Sequence, residues 1–378
     1  MTPVVIAGYM RSPFCFANKG ELAKTRADDL AAAVIRALLD RAKINPADIE
    51  DLIVGCAFPE GEQGLNIARL IGFIACLPLG VAGVTVNRLC GSSMQAIHMA
   101  AGAIQMGTGE AFICAGVESM TRVPVPGFNP LPNPVLAARY PQAYLSMGLT
   151  AENVAKKYNV SRHEQEAFAV LSHSKAAAAQ NAGKLIEEIV PIHLSSGLLE
   201  KDGCIRAGTT MEKLAEMSLA FEAGGTITAG TSAPYTDGAS ATLVTSEDYA
   251  RANGLTVLAR IKAIAVSGCA PEMMGIGPIA ATQKALLRAG LTLKDIDIIE
   301  LNEAFSSQAI ACIREMDLDI AKVNLDGGAI ALGHPFGATG ARITGKAAAL
   351  LKREGKQFAL ATQCIGGGQG IATILESI

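Results

Sequence analysis

The sequence predicts an α/β protein: a mostly parallel sheet covered by helices on both faces and built as two similar halves. Three observations carry that expectation. Strand-like apolar runs alternate with amphipathic helical stretches along most of the 378 residues, the pattern of strands joined by helical crossovers. The second half repeats the first: INPADIEDLIVGCAF (44–58) aligns with LTLKDIDIIELNEAF (291–305), placing Asp48, Ile49, Leu52, Ala57 and Phe58 on Asp295, Ile296, Ile299, Ala304 and Phe305. Between the halves the texture changes, with prolines at 124, 126, 130, 132, 134 and 141 that exclude regular helix or a central strand.

In chain order, residues 3–9 read as a strand and 26–42 as an amphipathic helix. Asn45-Pro46 opens a short helical turn, with a side-chain cap and proline in the first position. A strand over 49–56 and a helix over 60–75 follow, then the stretch VTVNRLCGSSMQAIH (84–98). There Val84, Val86 and Leu89 look like a buried strand, and Gly91, Ser92 and Ser93 turn the chain into a helix reaching about 106. The run 111–116 is the next strand. An excursion over 119–225 carries helices at 150–158, at 162–181 behind the capping box Ser161-x-x-Glu164, and at 210–219 behind Thr209-x-x-Glu212. The chain returns through TITAG (226–230) and ATLVTS (241–246), both strand-like. In the second half, LLDRA (38–42) is echoed by ALLRA (285–289), Val86-Asn87 by Val323-Asn324, helix 92–106 by 338–352, and AFICAG (111–116) by QFALAT (357–362). The insertion DGGAIALGHP (326–335) has no counterpart; insertions at the carboxyl ends of parallel strands are where such folds keep their sites.

Composition narrows the function. A net charge of −3 gives no global attraction to nucleic acid or anionic lipid, and 4% aromatic residues without tryptophan leave little material for stacking bases. Nine scattered cysteines, with no CxxC and no Cys/His spacing suited to zinc, argue against a disulfide framework and a metal site. No apolar run approaches 18 residues, TPVVIAGYMRSPF reads as strand and turn rather than as a signal peptide, and ILESI carries no targeting tripeptide. The expected location is the reducing cytoplasm.

Residue types with chemistry gather at strand ends. Cys90 sits at a strand-to-helix turn, where free backbone N–H groups and the helix dipole favour a thiolate; the alternative is an inert core thiol. His334 alone of five histidines lies in a glycine-rich loop, while His98, His163, His173 and His193 look like ordinary surface or core residues. A Cys–His pair is a nucleophile with its base. Cys364 precedes glycines whose N–H groups can form an oxyanion hole, or it is strand-end packing. Asn302 positions a water, donates to a developing enolate oxygen, or caps the turn after its strand. Two thiols and an imidazole, with no metal and no carboxylate dyad, suit acyl transfer through a thioester.

At these residues the sequence resembles the thiolase family. VNRLCGSSMQA matches the family's nucleophile block and AGVESM (115–120) the block entering its loop domain. NEAF (302–305) matches the asparagine block, GGAIALGHPFGATGAR (327–342) the histidine block and CIGGGQG (364–370) the second-cysteine block. The blocks stand in family order over essentially the whole chain. The CGSSMQA variant and MGLTAE (147–152) look most like the thiolase subunits of bacterial fatty-acid oxidation complexes. The resemblance implies a five-layered αβαβα core of two duplicated halves plus an inserted loop domain. The halves are then 1–118 with 226–252, and 253–378, and the loop domain is 119–225. It implies CoA-dependent cleavage of 3-ketoacyl-CoA, or the reverse condensation to acetoacetyl-CoA, with coenzyme A as substrate and no tightly bound cofactor. Cys90 is then the acylated nucleophile, His334 its activator and Cys364 the acid/base at the acetyl α-carbon. His334 with an Asn302-held water makes one oxyanion hole, and the N–H groups of Cys90 and Gly366 the other. Arg206, Phe221, Ala229, Met147, Ala304 and Phe305 map onto coenzyme A contacts. A homodimer or homotetramer is implied, with a hydratase/dehydrogenase subunit as a further partner. Ala233 departs from a serine often found near the pantetheine arm, and Ser146 from the histidine of acetoacetyl-CoA-specific members, which points to longer 3-ketoacyl substrates.

Competing readings are weaker. GARITGKA (340–347) falls one residue short of a phosphate-binding loop and runs into a helix, and GHPFGATG lacks the acidic residue a dinucleotide site needs. A decarboxylating ketoacyl synthase pairs its cysteine with two histidines, where this chain has Cys364. A non-catalytic lipid carrier on the same fold would not need all four reactive positions.

Overall fold

The computed structural model describes residues 2–378. Each half of the chain folds into the same arrangement. In the first, strands Ala82–Val86, Asp51–Gly55 and Ala111–Ser119 run parallel, and Thr236–Ser246 and Val4–Arg11 continue the sheet antiparallel. In the second, a bridge at Val323, then Ile298–Leu301 and Phe358–Ile365, are parallel, and Gln369–Glu376 and Ala259–Gly268 are antiparallel. Val4–Arg11 and Ala259–Gly268 touch at Val5–Arg260 and Ile6–Ala259, joining the two sheets. The sheet is therefore mixed, not mostly parallel as expected. The antiparallel strands arise because a tight hairpin returns the chain after Ile365 and the long excursion returns it after Ser119.

The register bears out the duplication and moves one pairing. Asp51 lies opposite Phe112, and Ile298 opposite Ala359, at the same sequence separation. Because 51 aligns with 298, Ala111 corresponds to Phe358, one residue beyond the pairing read from the sequence.

Alternation along the strands builds five layers. In the second sheet Ile298, Ala359, Ala361, Ile371 and Leu375 face the central helix Phe336–Glu354, through Ile343, Ala347 and Leu351. Their neighbours Ile299, Leu301, Leu360, Ala372 and Ile374 face outward, onto helices Gly277–Ala289 and Ser306–Glu315. In the first sheet Ile53, Phe112 and Cys114 face the second central helix, Ser92–Gln105, and Leu52, Val54 and Ile113 face Ala27–Ala42 and Ile67–Ile74. The two central helices pack on each other and carry small residues where they meet. A side chain at Gly340 would collide with the backbone nitrogen of Met94, so only glycine permits that approach.

Between Ser119 and Thr236 the chain makes an excursion of mostly short elements, from which the longer helices Met147–Lys157 and Arg162–Asn181 pack against Ser306–Glu315. Ser161 and Glu164 form the expected capping box. Four expectations need correction. The stretch 60–75 is a 3-10 turn, Gly61–Gln63, and a helix, Ile67–Ile74, because Leu65 and Asn66 both take positive φ. Helix 210–219 shrinks to Met211–Ala215, capped by Thr210 rather than Thr209. TITAG is not a strand: Glu152 accepts from the N–H groups of Thr226 and Ile227, and Thr228 caps a 3-10 turn. Strand Ala82–Val86 is half-exposed at the sheet edge, and Leu89 lies outside it.

Candidate active site

Cys90 is set by a tight turn between strand Ala82–Val86 and helix Ser92–Gln105. Leu89 takes φ 45°, its N–H donates to Asn87 Oδ1 at 2.8 Å, and Ser92 Oγ accepts from Arg88 N at 2.9 Å. The second half reaches across to fix the turn. The Gln363 side-chain amide donates to the Cys90 carbonyl, and Gln369 accepts from Arg88 Nη1 at 2.8 Å. The backbone N–H groups of Gly366 and of Cys90 itself favour negative charge on the Cys90 sulfur.

Burial corrects the thiolate expectation. The Cys90 thiol is pushed up to about 12 by desolvation, against the opposing pull of the Gly366 N–H, and the Glu118 charge adds to the rise. Burial likewise raises Cys364 well above the ordinary thiol range, and the neighbouring Cys90 adds to it. Both sulfurs rest as thiols. The helix start does not supply a preformed thiolate here, because removing the charge from water outweighs the pull of the nearby backbone N–H groups.

The His334 imidazole is held at both nitrogens. His334 follows the short helix Ala329–Leu332 and Gly333, at φ 102°, and its N–H donates to Thr236 Oγ1 at 3.0 Å. Its Nδ1 lies 2.7 Å from Thr339 Oγ1, whose own proton goes to the Pro335 carbonyl at 3.0 Å. Thr339 therefore accepts from Nδ1–H, which assigns the lone pair to Nε2. Asn302 Nδ2 faces that nitrogen at 3.3 Å, while Asn302 Oδ1 is buried without a partner. Burial, helped by the Arg342 charge, lowers the imidazole to about 3, so it is neutral at physiological pH. Phe336 packs edge-on against the ring at 4.9 Å.

Around Cys364 lies an apolar cluster of Ala151, Ile227, Met274, Ala304 and Phe305, with Met147 at its edge. Phe221 meets Phe305 edge-to-face at 5.9 Å. Met147, Ala304, Phe305, Phe221 and Cys364 thus come together. Gly366 is held between Leu89 and Met147. Arg206 lies apart from them, in a cleft of about 440 Å³ lined also by His173, Thr209, Lys213, Leu214, Met217 and Gly230. Ala229 is exposed beside Gly230. Ala233 N–H bonds to the Ala304 carbonyl, and Ser146 caps helix Met147–Lys157, so both departures from the family have backbone roles here.

Three contributors escaped the sequence reading: Thr339, Gln363 and Glu118. Thr339 sits five residues after His334 in a motif already singled out, which is the signal that would have found it. The near-match to a phosphate loop is buried in helix Phe336–Glu354, with Lys346 bound to Glu188 and Asp326. Among the described residues no group of His, Cys, Asp or Glu side chains is arranged to hold a metal ion.

Two buried thiols and a neutral imidazole on a duplicated α/β core define a protein built for thioester chemistry. The thiolase N-terminal domain family matches residues 4–248 and the thiolase C-terminal domain family residues 255–377. The chain belongs to the thiolase family. It is 46% identical to a 3-ketoacyl-CoA thiolase of Bacillus subtilis (strain 168) over the full length of both chains. The structure of human mitochondrial 3-ketoacyl-CoA thiolase in complex with CoA superposes with a TM-score of 0.93 and 38% identity, covering 100% of this chain and 98% of that one. A Bacillus anthracis acetyl-CoA acetyltransferase superposes with a TM-score of 0.92 and 36% identity, covering 100% of this chain and 99% of that one.

Proposed function

We propose that the protein cleaves 3-ketoacyl-CoA with free coenzyme A, giving acetyl-CoA and an acyl-CoA two carbons shorter. The observation that carries this is the Nε2 lone pair of His334, oriented by Thr339 and Asn302, together with the buried thiols of Cys90 and Cys364. His334 Nε2 takes the Cys90 proton, and the thiolate attacks the 3-keto carbon. The oxyanion is met by the N–H groups of Cys90 and Gly366. The bond between C2 and C3 breaks, the acyl group stays on Cys90, and the acetyl-CoA carbanion takes its proton from Cys364. Coenzyme A, deprotonated in turn, attacks the Cys90 thioester and releases the shortened acyl-CoA. The raised affinity of Cys364 for its proton suits this order, because Cys364 then arrives with a proton to give. Asn302 Oδ1, buried and unpaired, suits a water that polarises the thioester oxygen.

Coenzyme A would lie from the Arg206 cleft to the Phe221–Phe305 pair, with Ala229 and Met147 along its course. The domain reading that accompanies this joins 1–118 with 226–252, sets 253–378 as the second half, and makes 119–225 the excursion that walls the substrate. Run backwards, the same steps condense two acetyl-CoA molecules, which fits the likeness to an acetyl-CoA acetyltransferase. Ser146 in place of histidine favours longer 3-ketoacyl substrates. A homo-oligomer fits strand Ala82–Val86, whose outer edge is unpaired among the described residues and is flanked by exposed Leu65 and Leu79. Association with a hydratase/dehydrogenase subunit rests on sequence likeness alone. Nine free thiols suit a reducing compartment such as the cytoplasm, and among the described residues no helix is long and apolar enough to cross a membrane. The experiment is thiolysis of C4 to C16 3-ketoacyl-CoA, followed by loss of the 3-ketoacyl absorbance. Cleavage that depends on Cys90 supports the reading; no cleavage at any length overturns it.

A further inference from the structure

One buried carboxylate has no part in the steps above, yet it binds both halves of the site together. Glu118, the last residue but one of strand Ala111–Ser119, is almost wholly buried. Its Oε2 accepts from Ala57 N at 2.8 Å and Gly337 N at 2.9 Å. Its Oε1 accepts from Phe58 N at 3.2 Å and Gln63 Nε2 at 2.9 Å, with the Cys56 thiol at 3.7 Å. Burial raises the Glu118 carboxyl above the ordinary carboxylate range. The donors around it oppose that rise and favour the anion: all five neighbours are donors, so a proton on the carboxyl would have nowhere to point.

Gly337 is the second residue of helix Phe336–Glu354, whose first turn has no side-chain cap of its own. Glu118 fills that place from another strand, where an anion is also favoured by the helix dipole. The same carboxylate holds the backbone of Phe58, whose ring lies 6.2 Å from Phe336. Phe336 in turn packs against His334. We propose that Glu118 is a positioning residue for the thiolase reaction, fixing the orientation of His334 through Gly337 and through the tilted Phe58–Phe336 ring contact. The inference rests on the proposed function.

An electrostatic consequence follows from the same placement. The Glu118 anion is the charged group that disfavours the Cys90 thiolate, and Cys90 in turn raises Cys364; near His334 the charged group is Arg342. Removing the anion should therefore move Cys90 ionisation to lower pH, which a residue that merely supports packing would not do.

The test is Glu118→Gln, whose amide oxygen can still accept from Ala57 and Gly337 while its NH2 meets the other donors. The readouts are kcat and KM for thiolysis of acetoacetyl-CoA and the pH midpoint of Cys90 alkylation by iodoacetamide. The expected result is a kcat at least tenfold lower, KM for coenzyme A within twofold, and a midpoint lowered by at least half a pH unit. A kcat within twofold of the unaltered protein, or a KM that rises as kcat falls with the midpoint unmoved, overturns the proposal. If the variant does not fold, Phe58→Leu keeps the carboxylate and removes the ring contact. It should lower kcat at least threefold with KM unchanged, and an unchanged kcat overturns the role. Alkylation needs no turnover. An unaltered protein that alkylates normally but cannot cleave acetoacetyl-CoA or longer substrates overturns the proposed function alone, and the shift in midpoint still decides Glu118.

Discussion

His334 Nδ1 and Thr339 Oγ1 lie 2.7 Å apart, and because Thr339 gives its own proton to Pro335, the hydrogen between them belongs to the imidazole. One side chain a turn into the next helix thus decides which nitrogen of the histidine is the base. Thr339→Val keeps the shape and removes the acceptor. A buried N–H left without a partner costs about 1–3 kcal/mol, so kcat should fall about 10- to 100-fold, with KM for coenzyme A little changed. Steady-state kinetics at saturating and limiting coenzyme A checks the split.

Asn302→Asp places a carboxylate where an amide now faces Nε2 at 3.3 Å. An anion there favours the protonated imidazole, which is now suppressed to about 3. The unaltered enzyme should show no loss of kcat/KM near pH 6.5 from this group. The variant should acquire an acidic limb displaced toward neutrality, read from a pH–rate profile between 5 and 9.

Much of this site was legible because its residue types stand at strand ends. Cys90, Asn302, His334 and Cys364 each follow an apolar run or sit among glycines, where a structural role explains them poorly. Caps were legible for the same local reason, as at Ser161 with Glu164 and at Asn45 before Pro46. What failed was non-local. TITAG has the alternation of a strand, but Glu152, far off in the chain, takes its N–H groups. Gln363 bonds to Cys90 and Glu118 to Gly337 across sequence separations that no window spans. The thiolate expectation at Cys90 failed because the sequence displays the helix start and hides the burial that opposes it.

Acid should destabilise the fold through buried neutral histidines. His98, bonded to Thr373 Oγ1 at 2.8 Å, is lowered to about 3 by burial, with smaller contributions from Arg88 and Arg288. The unfolded chain binds the proton from about pH 6.5 downward and the folded one does not until about pH 3. Stability from this site is therefore complete above about 6.5 and is lost as pH falls across that window, by up to about 1.4 kcal/mol per pH unit for one proton. Urea unfolding at pH 7 and pH 5 should show the decline, and His98→Gln should shrink the difference.

Gly340→Ala should separate the two central helices, because its new methyl would collide with the Met94 backbone. Overpacking of this kind costs about 1–3 kcal/mol. A lower urea midpoint with an unchanged slope would express it.

Arg206→Ala should raise KM for coenzyme A severalfold and leave kcat near its original value, since Arg206 lines the cleft away from Cys364. With pantetheine in place of coenzyme A the variant and the original protein should behave alike.

The most direct test is to trap the acyl group. The protein is mixed with acetyl-CoA, quenched in acid, digested and sequenced by mass spectrometry. The acetyl group should be found on Cys90, should be absent from Cys90→Ser, and should return to coenzyme A when the free thiol is added before the quench. A protein that turns over while carrying the acetyl group on Cys364 or elsewhere, or carrying none, contradicts Cys90 as the nucleophile.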